Sequence, residues 1–258
     1  MLWLLPLVLP LAVLMVWSGL SYTGTVPGYM LPAPDAVAAT LWVYITGQGQ
    51  GMYSGRFLAD LVASLGRVGA GFSLAVCLGL PLGILSGRIV MARLLLKDFV
   101  DGLRSVPGIC WLPLALVWFG IGFKTTVFLI CLAAFFPIYL NTMAGVAAVP
   151  ETLLRAGRML GLDRLGLVRH VIVPASMGQI LTGLRLGLGI SFAYLVLGEL
   201  TGVPNGLGAL IMDARMVGRV DVIISGILLI ALTGWVCDLL LVRFLRLLSR
   251  SVRRACRQ

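Results

Sequence analysis

The chain has 258 residues, of which 60% are hydrophobic and 12% are charged, and its mean hydropathy is +1.04. This composition excludes an ordinary water-soluble domain and indicates a polytopic membrane protein. The net charge of +10 comes from basic residues spread over separate segments instead of one continuous soluble face, which argues against nucleic-acid binding.

The apolar runs, in chain order, predict about six transmembrane helices, because each bilayer crossing takes roughly 20 residues. These runs are 2–20, 61–87, 103–120, 126–146, 177–200 and 222–248. The prediction is an all-α polytopic fold. It divides into a first helix and an extracytoplasmic loop (1–60), a membrane core (61–248) and a tail (249–258). The first run has no basic residue before it and no clear cleavage site after it, so we interpret it as a mature helix. A short helix is predicted after Asp35.

The basic residues predict the orientation, because short basic loops stay in the cytoplasm. They cluster in two loops and the tail: Arg88, Arg93 and Lys97; Arg155, Arg158, Arg164 and Arg169; Arg243, Arg246, Arg250, Arg253, Arg254 and Arg257. With six spans, all three clusters and both termini are predicted to be cytoplasmic and close to anionic lipid headgroups. Arg56 and Arg67 do not fit this pattern.

The second basic loop is a polar island between two apolar runs. Glu151 follows Pro150 as in the first turn of a helix, and Gly161 suits a left-handed cap. Asp163 suits the N-cap of a second short helix, and Pro174 suits the first turn of the next span. The residues therefore predict a cytoplasmic helix-turn-helix. Such a hairpin either docks into a groove on another protein or rests on lipid headgroups, and the residues alone leave both open.

Small residues and prolines mark several of the predicted spans. The small residues at every fourth position of the second span predict close helix packing. They are Gly71, Ala75, Gly79, Gly83 and Gly87. Bends are predicted at Pro107, Pro113 and Pro137, and broken helices of this kind sometimes line transport cavities.

Two ionisable residues in the fifth predicted span are candidates for a pathway or gate. Arg185 lies well inside that span and either faces a pathway or makes a structural pairing, and Glu199 lies near its outer end as a gate residue or an interfacial carboxylate. Asp238 has no assigned role. His170 is the only histidine, so a multi-histidine metal site is excluded and no metal site is predicted.

The polar island resembles the EAA loop of ABC importer permeases. Ala156 and Gly157 are followed after three residues by Gly161 and, after nine more, by a segment that ends at Pro174. The family pattern has the same intervals, with Glu where this chain has Arg155 and a second Ala where it has Gly157. The resemblance implies that Gly161 makes the turn, that Ala156 and Leu162 contact a groove, and that Val171 and Pro174 lead into the next span.

Five further segments resemble the nitrate, sulfonate and taurine branch of that family. They are SLGRVGAGF, VPGICWLPLALVWFGIG, FFPIYLNTMAGV, TGLRLGLGISFAYLVLGEL and GLGALI, and with the loop they cover roughly residues 60–248. The resemblance implies a type I ABC importer permease fold in a bacterial inner membrane. It also implies a second permease copy, cytoplasmic ATPase subunits that use ATP and Mg, and an extracytoplasmic binding protein that delivers a small oxyanion, a sulfonate or a related small organic compound. This chain has no GxxxxGK[ST] loop, so it is predicted to hold no cofactor.

Two other functions are alternatives to the importer. An ion-gradient-driven secondary transporter or channel needs membrane carboxylates poised for coupling and internal repeats, and only Glu199 and Asp238 are available. An intramembrane enzyme needs paired aspartates, an HExxH motif or a serine with a base, and the sequence has none of these constellations. The chain is therefore predicted to be a transporter and not an enzyme.

Overall fold

The computed structural model describes residues 5–24, 26–48 and 53–248, and every regular element in these ranges is helical. The helices are α1 (Leu5–Tyr22), α2 (Pro34–Thr46), α3 (Phe57–Arg88), α4 (Val90–Ser105), α5 (Trp111–Phe119), α6 (Phe123–Ala147), α7 (Glu151–Met159), α8 (Arg164–Leu167), α9 (Val173–Glu199), α10 (Leu207–Val217) and α11 (Val220–Leu248). A 3-10 turn (Gly108–Cys110) precedes α5, and a π-helical segment (Val168–Ile172) joins α8 to α9. The predicted basic tail, 249–258, lies outside the described residues.

Four helical segments of the described chain are long and apolar enough to cross a bilayer: Phe57–Arg88, Phe123–Ala147, Arg164–Glu199 and Val220–Leu245. A fifth candidate combines α4 and α5, which are bent by 81° at their junction, and α1 is a shorter apolar helix. These segments follow the order of the predicted spans. The all-α polytopic fold is confirmed, and α2 is the short helix predicted after Asp35.

The predicted bend at Pro107 is confirmed, and it interrupts the span predicted over 103–120. The helix breaks where Val106 takes an extended conformation before Pro107, because the proline ring disfavours the helical conformation of the residue before it. The remaining helix α5 has nine residues, or about 14 Å at 1.5 Å per residue, which is too short to cross a bilayer. The mean hydropathy of residues 103–120 gives no sign of this break, whereas the proline at position 107 predicts it.

The first predicted basic loop is also helical in the structure. Helix α4 begins at Val90, only two residues after α3 ends at Arg88. Arg93 donates from Nε to the carbonyl of Ser86 at 3.0 Å and from Nη2 to the carbonyl of Gly87 at 2.8 Å. The last carbonyls of α3 therefore gain a side-chain partner, which replaces the loop with a tight corner between two helices.

The described helices form two compact units, and the first consists of Met1–Ser64 and Gly202–Ala231. Its core is a cluster of Tyr44, Tyr53, Leu207, Leu210, Ala214, Val222 and Leu229. The first amides of α10 are satisfied by side chains of α3: Gly206 N–H donates to Asp60 Oδ1 and Leu207 N–H donates to Ser64 Oγ, both at 2.9 Å. Tyr44 Oη–H donates to the other oxygen of Asp60 at 2.8 Å, so this buried carboxylate holds α2, α3 and α10 together.

The second unit consists of Leu65–Thr201 and Leu232–Gln258, and α6 lies at its centre. Glycines of α3 and α9 press against α6 from two sides. A Cβ atom at Gly79 would lie 2.9 Å from Ile138 Cγ2, and one at Gly187 would lie 3.0 Å from Ile138 Cγ1. Gly71, Gly83 and Gly87 leave equally little room against α6. The predicted close packing along this small-residue stripe is confirmed.

Candidate functional site

The first arm of the polar island is helix α7. Pro150 is the extended N-cap residue, and Glu151 lies in the first turn, where a negative charge favours the helix dipole. Glu151 is within 3.5 Å of Arg158 Nη2 and 3.8 Å of Arg88 Nη2, which ties the arm to the end of α3. Leu154 is the buried anchor of the arm and packs in a cluster with Val146, Val149 and Ile172. The arm is therefore fixed to α6 and to the π-helical segment.

The turn has the hydrogen bonds of a Schellman motif. Gly161 has φ +79°, and its N–H donates to the carbonyl of Arg158 at 3.0 Å. Leu162 N–H donates to the carbonyl of Gly157 at 3.1 Å. A left-handed residue at this position favours glycine, because other residues place Cβ too close to the backbone. The predicted left-handed cap at Gly161 is confirmed.

Gly157 is the point at which the two arms touch. A Cβ atom there would lie 2.7 Å from Leu167 Cδ2 and 3.3 Å from Val171 Cγ2. Leu162 is half-buried, and its Cδ1 lies 3.5 Å from the same point, whereas Ala156 is exposed. Gly157, which stands where the EAA pattern has a second alanine, therefore leaves space that Leu167 of the second arm fills.

The second arm differs from the prediction of a separate short helix. Asp163 is the N-cap, as predicted, and its Oδ1 accepts from Gly166 N–H at 2.8 Å. From Arg164 onward, however, the helix runs without interruption to Glu199. Pro174 lies in the first turn of α9, as predicted, but that turn continues directly from the second arm and does not begin a separate helix. It is accommodated directly after the π-helical segment, whose wider turns relieve the clash between a proline ring and the preceding turn.

The outer surface of the polar island carries exposed apolar side chains, and arginines lie around them. Met159, Leu160 and Leu165 are 88%, 82% and 75% exposed, and Leu153 is also exposed. The basic side chains beside them include Arg155, Arg158, Arg164 and Arg169, which are exposed as well. We call residues 151–174 the hairpin. Contiguous exposed apolar side chains of this size mark an interaction surface.

Leu165 is not among the residues that the sequence predicts for this site, and the apolar residues in and after α7 do not all lie on one side of the helix. The buried side of α7 consists of Leu154 and Gly157, which are one turn apart. Met159 and Leu160 lie off this side and are exposed. The local signal for Leu165 is an isolated leucine directly after the charged residues Asp163 and Arg164.

Arg185 makes a bidentate ion pair with Asp238 of α11. Its Nε donates to Oδ1 at 2.8 Å and its Nη2 donates to Oδ2 at 2.7 Å. This geometry is the strongest form of an arginine–carboxylate contact. The structural pairing considered for Arg185 is therefore present, and Asp238, which the sequence left unassigned, is the partner.

Glu199 is completely buried and pairs with Arg67 of α3. Arg67 Nη1 donates to Glu199 Oε1 at 2.5 Å, and both side chains are shielded from solvent. This contact also explains why Arg67 does not fit the orientation pattern, since it is a buried ion-pair residue and not a loop charge. The gate role of Glu199 stays a prediction.

Comparisons with known proteins agree with this architecture. The family model for binding-protein-dependent transport system inner membrane components matches residues 79–254. The chain is 35% identical to a Bacillus subtilis protein named as an aliphatic sulfonates transport permease, SsuC, over 97% of this chain and 87% of that protein. It is 36% identical to the taurine transport system permease TauC of Escherichia coli over 89% of this chain and 83% of that protein. It is 32% identical to the bicarbonate transport system permease CmpB of Synechococcus elongatus over 97% of this chain and 90% of that protein.

Solved structures show the same fold at low sequence identity. The inward-facing MetNI methionine ABC transporter, in its native crystal form, contains a chain that is 19% identical with a TM-score of 0.65. That match covers 82% of this chain and 99% of the other. An amino acid ABC transporter matches with a TM-score of 0.55 over 77% of this chain and 94% of the other, at 20% identity. On these grounds the chain belongs to the binding-protein-dependent transport system inner membrane components, the permease subunits of ABC importers.

Proposed function

We propose that this permease forms the translocation pathway for a small oxyanion or sulfonate, which an extracytoplasmic binding protein delivers. The support is the set of relatives named for aliphatic sulfonates, taurine and bicarbonate, all of which are aligned over most of this chain. These substrates share a compact anionic or zwitterionic group. Specificity between them then depends largely on the binding protein.

The observation that carries the proposal is the exposed apolar surface of the hairpin. Met159, Leu160 and Leu165 are too exposed to stabilise this chain, so a partner covers them. The apolar surface on the two helical arms, with arginines around it, fits a groove on a separate ATPase subunit. That subunit binds ATP and Mg, because this sequence has no phosphate-binding loop of the GxxxxGK[ST] kind.

The continuity of the second arm suggests how hydrolysis moves the membrane part. Arg164–Glu199 is one helical segment of 36 residues, so a displacement of the hairpin acts directly on α9. The cluster around Leu154 binds the first arm to the same segment. In the proposed cycle, closure of two ATPases draws two hairpins together and switches the pathway between inward and outward opening.

The proposed assembly contains two copies of this chain in the bacterial inner membrane, related by a twofold axis. In this proposal the hairpin and both termini lie in the cytoplasm, because the hairpin and the segment from Arg243 to the C-terminus carry ten of the 20 Lys and Arg residues. The arginines of the hairpin and of the C-terminal end also contact anionic lipid headgroups. A secondary transporter gains no support, since Glu199 and Asp238 are both ion-paired with arginine.

The test combines copurification with a glycine substitution that has a matched control. Gly161→Val places a β-branched residue at φ +79° and distorts the turn of the hairpin. Gly218 closes α10 with the same motif: φ is +72°, and the amides of Gly218 and Arg219 bond back to Arg215 and Ala214 at 3.2 and 2.9 Å. Gly218→Val therefore imposes the same local strain away from the hairpin.

We expect an ATPase to copurify with the tagged wild-type chain from detergent-solubilised membranes. In reconstituted vesicles, Gly161→Val should separate ATP hydrolysis from uptake of the anion or release the ATPase, whereas Gly218→Val should keep both coupled. A clean oligomer without ATPase activity would overturn the importer assembly. Normal coupling in Gly161→Val would overturn the role of the hairpin.

A further inference from the structure

Helix α9 has an exposed side whose chemistry does not suit lipid. Gln179, Thr182 and Arg185 recur at helical spacing along it beside Leu186, Gly189 and Ile190, and all six are exposed in the isolated chain. The exposed side of α11 is different, because it carries large apolar residues. They include Trp235, Leu240 and Phe244. The side of α11 suits acyl chains, and the side of α9 requires water or polar partners.

The charges on this side lie deep in the membrane. Arg185 is 12 residues after the start of α9 at Val173 and 14 before its end at Glu199, or about 18 and 21 Å along the helix. Asp238 is 10 residues before Leu248, or about 15 Å from that end of α11. A hydrocarbon core about 30 Å thick therefore encloses the pair. Charges at this depth face protein or water and not lipid.

The ion pair is nevertheless open on the surface of the chain. The side chains of Arg185 and Asp238 are 53% and 27% exposed, and they line a recess of about 300 Å³ together with Thr182 and Leu186. By contrast, the pair of Arg67 and Glu199 is sealed within the same unit. The open pair presents a guanidinium fork, which binds planar and tetrahedral oxyanions as well as carboxylates.

We propose that the exposed side of α9 lines the aqueous translocation pathway and that Arg185 exchanges Asp238 for the passing oxyanion. In the empty pathway Asp238 neutralises the guanidinium and keeps its orientation. When a sulfonate or bicarbonate arrives, its oxygens take the place of the carboxylate, and the return of Asp238 releases the anion toward the cytoplasm. This inference rests on the proposed function as an anion importer and adds a specific residue pair to it.

The first test is water access at a matched pair of positions. Leu186 and Leu240 are 51% and 57% exposed and lie within two residues of Arg185 and Asp238, on the two different exposed sides. In a variant whose five native cysteines are replaced, Leu186→Cys should react with a membrane-impermeant charged methanethiosulfonate in the reconstituted complex. Leu240→Cys should react only with a lipid-soluble maleimide. If Leu186→Cys is as unreactive toward the charged reagent as Leu240→Cys, the pathway assignment is overturned. A disulfide between two copies at position 186 would also overturn it.

The second test addresses the exchange itself. In the Leu186→Cys background, Asp238→Asn leaves the guanidinium without its neutralising carboxylate. The rate ratio of an anionic to a cationic methanethiosulfonate should then rise roughly tenfold or more, because a focused positive potential concentrates anions. Arg185→Gln should lower the ratio. The double variant Arg185→Gln with Asp238→Asn should return it to the wild-type value while ethanesulfonate uptake is lost.

The outcomes separate the two proposals. If the ATPase copurifies and hydrolyses ATP but the reagent ratio is the same in all variants, the exchange at Arg185 is wrong and the importer assembly stands. If the ratio shifts as expected but no ATPase copurifies, the pathway assignment stands and the ATP-driven assembly is wrong. If a single variant does not fold, the double variant, which contains no unpaired charge, still tests the exchange: loss of ethanesulfonate uptake supports it, and wild-type uptake overturns it.

Discussion

Helix α9 contributes one residue to each of two arginine–carboxylate pairs, which have similar N–O distances and opposite surroundings. Glu199 meets Arg67 at 2.5 Å in a fully buried site, and Arg185 meets Asp238 at 2.7 Å in an open recess. The buried pair joins α9 to α3, and both helices pack on α6. The contrast teaches that residue type and contact distance do not decide the role of a membrane charge. We infer that access of water to the pair decides it, because only an accessible pair can exchange one partner for a solute.

The largest effect is expected from breaking the buried pair. Glu199→Ala leaves the Arg67 guanidinium buried without its carboxylate, and removing one partner of such a pair costs about 3–5 kcal/mol. The loss should appear as a lower thermal unfolding midpoint in detergent. The double variant Arg67→Met with Glu199→Leu should recover most of the stability, since apolar residues of similar volume replace both charges. A wild-type midpoint for Glu199→Ala would contradict the structural role of this pair.

The next effect concerns the helix packing that holds the buried pair in place. Gly79→Val pushes α3 away from Ile138, and overpacking of this kind costs about 1–3 kcal/mol. Gly69 lies on the same helix with no atom within 4 Å of its missing Cβ, so Gly69→Val is the matched control. We expect the control to keep the wild-type unfolding midpoint. Equal midpoints for the two variants would show that α3 and α6 are less tightly packed than the glycine stripe indicates.

A smaller effect is expected where an exposed carboxylate binds a backbone amide. Asp163→Ala removes the cap on Gly166 N–H, which is worth about 1 kcal/mol. Limited proteolysis of the hairpin should be faster in this variant. Asp163→Ser keeps a capping oxygen and should behave as the wild type. Faster cleavage of both variants alike would show that charge at this position, and not capping, stabilises the arm.

The smallest change in stability is expected at the open pair. Asp238→Asn should alter the unfolding free energy by about 0–1 kcal/mol, because the pair is solvated and the asparagine keeps the shape of the side chain. Anion uptake should nevertheless fall, while ATP hydrolysis continues. The measurement is uptake and thermal unfolding on the same preparation. A stability loss as large as that of Glu199→Ala would remove the distinction between the two pairs.

Much of the architecture follows from local patterns. The apolar runs identify the spans, and the spacing of Gly71 to Gly87 identifies the side of α3 that packs closely. Gly161 and Asp163 identify the turn of the hairpin, because a left-handed backbone and an N-cap each have strong residue preferences. The break at Pro107 was readable from the proline, although the hydropathy average across 103–120 obscured it.

The sequence by itself determined the membrane class, the order of the spans and the backbone conformation of the hairpin, because hydropathy and capping depend on neighbours along the chain. Only the tertiary structure decided that Arg185 pairs with Asp238, that Arg67 pairs with Glu199, and that the second arm continues into α9. It also decided that Leu154 is buried while Met159, Leu160 and Leu165 are exposed. These features depend on contacts between residues far apart in sequence and on which side of each helix its neighbours cover, and no local pattern encodes either.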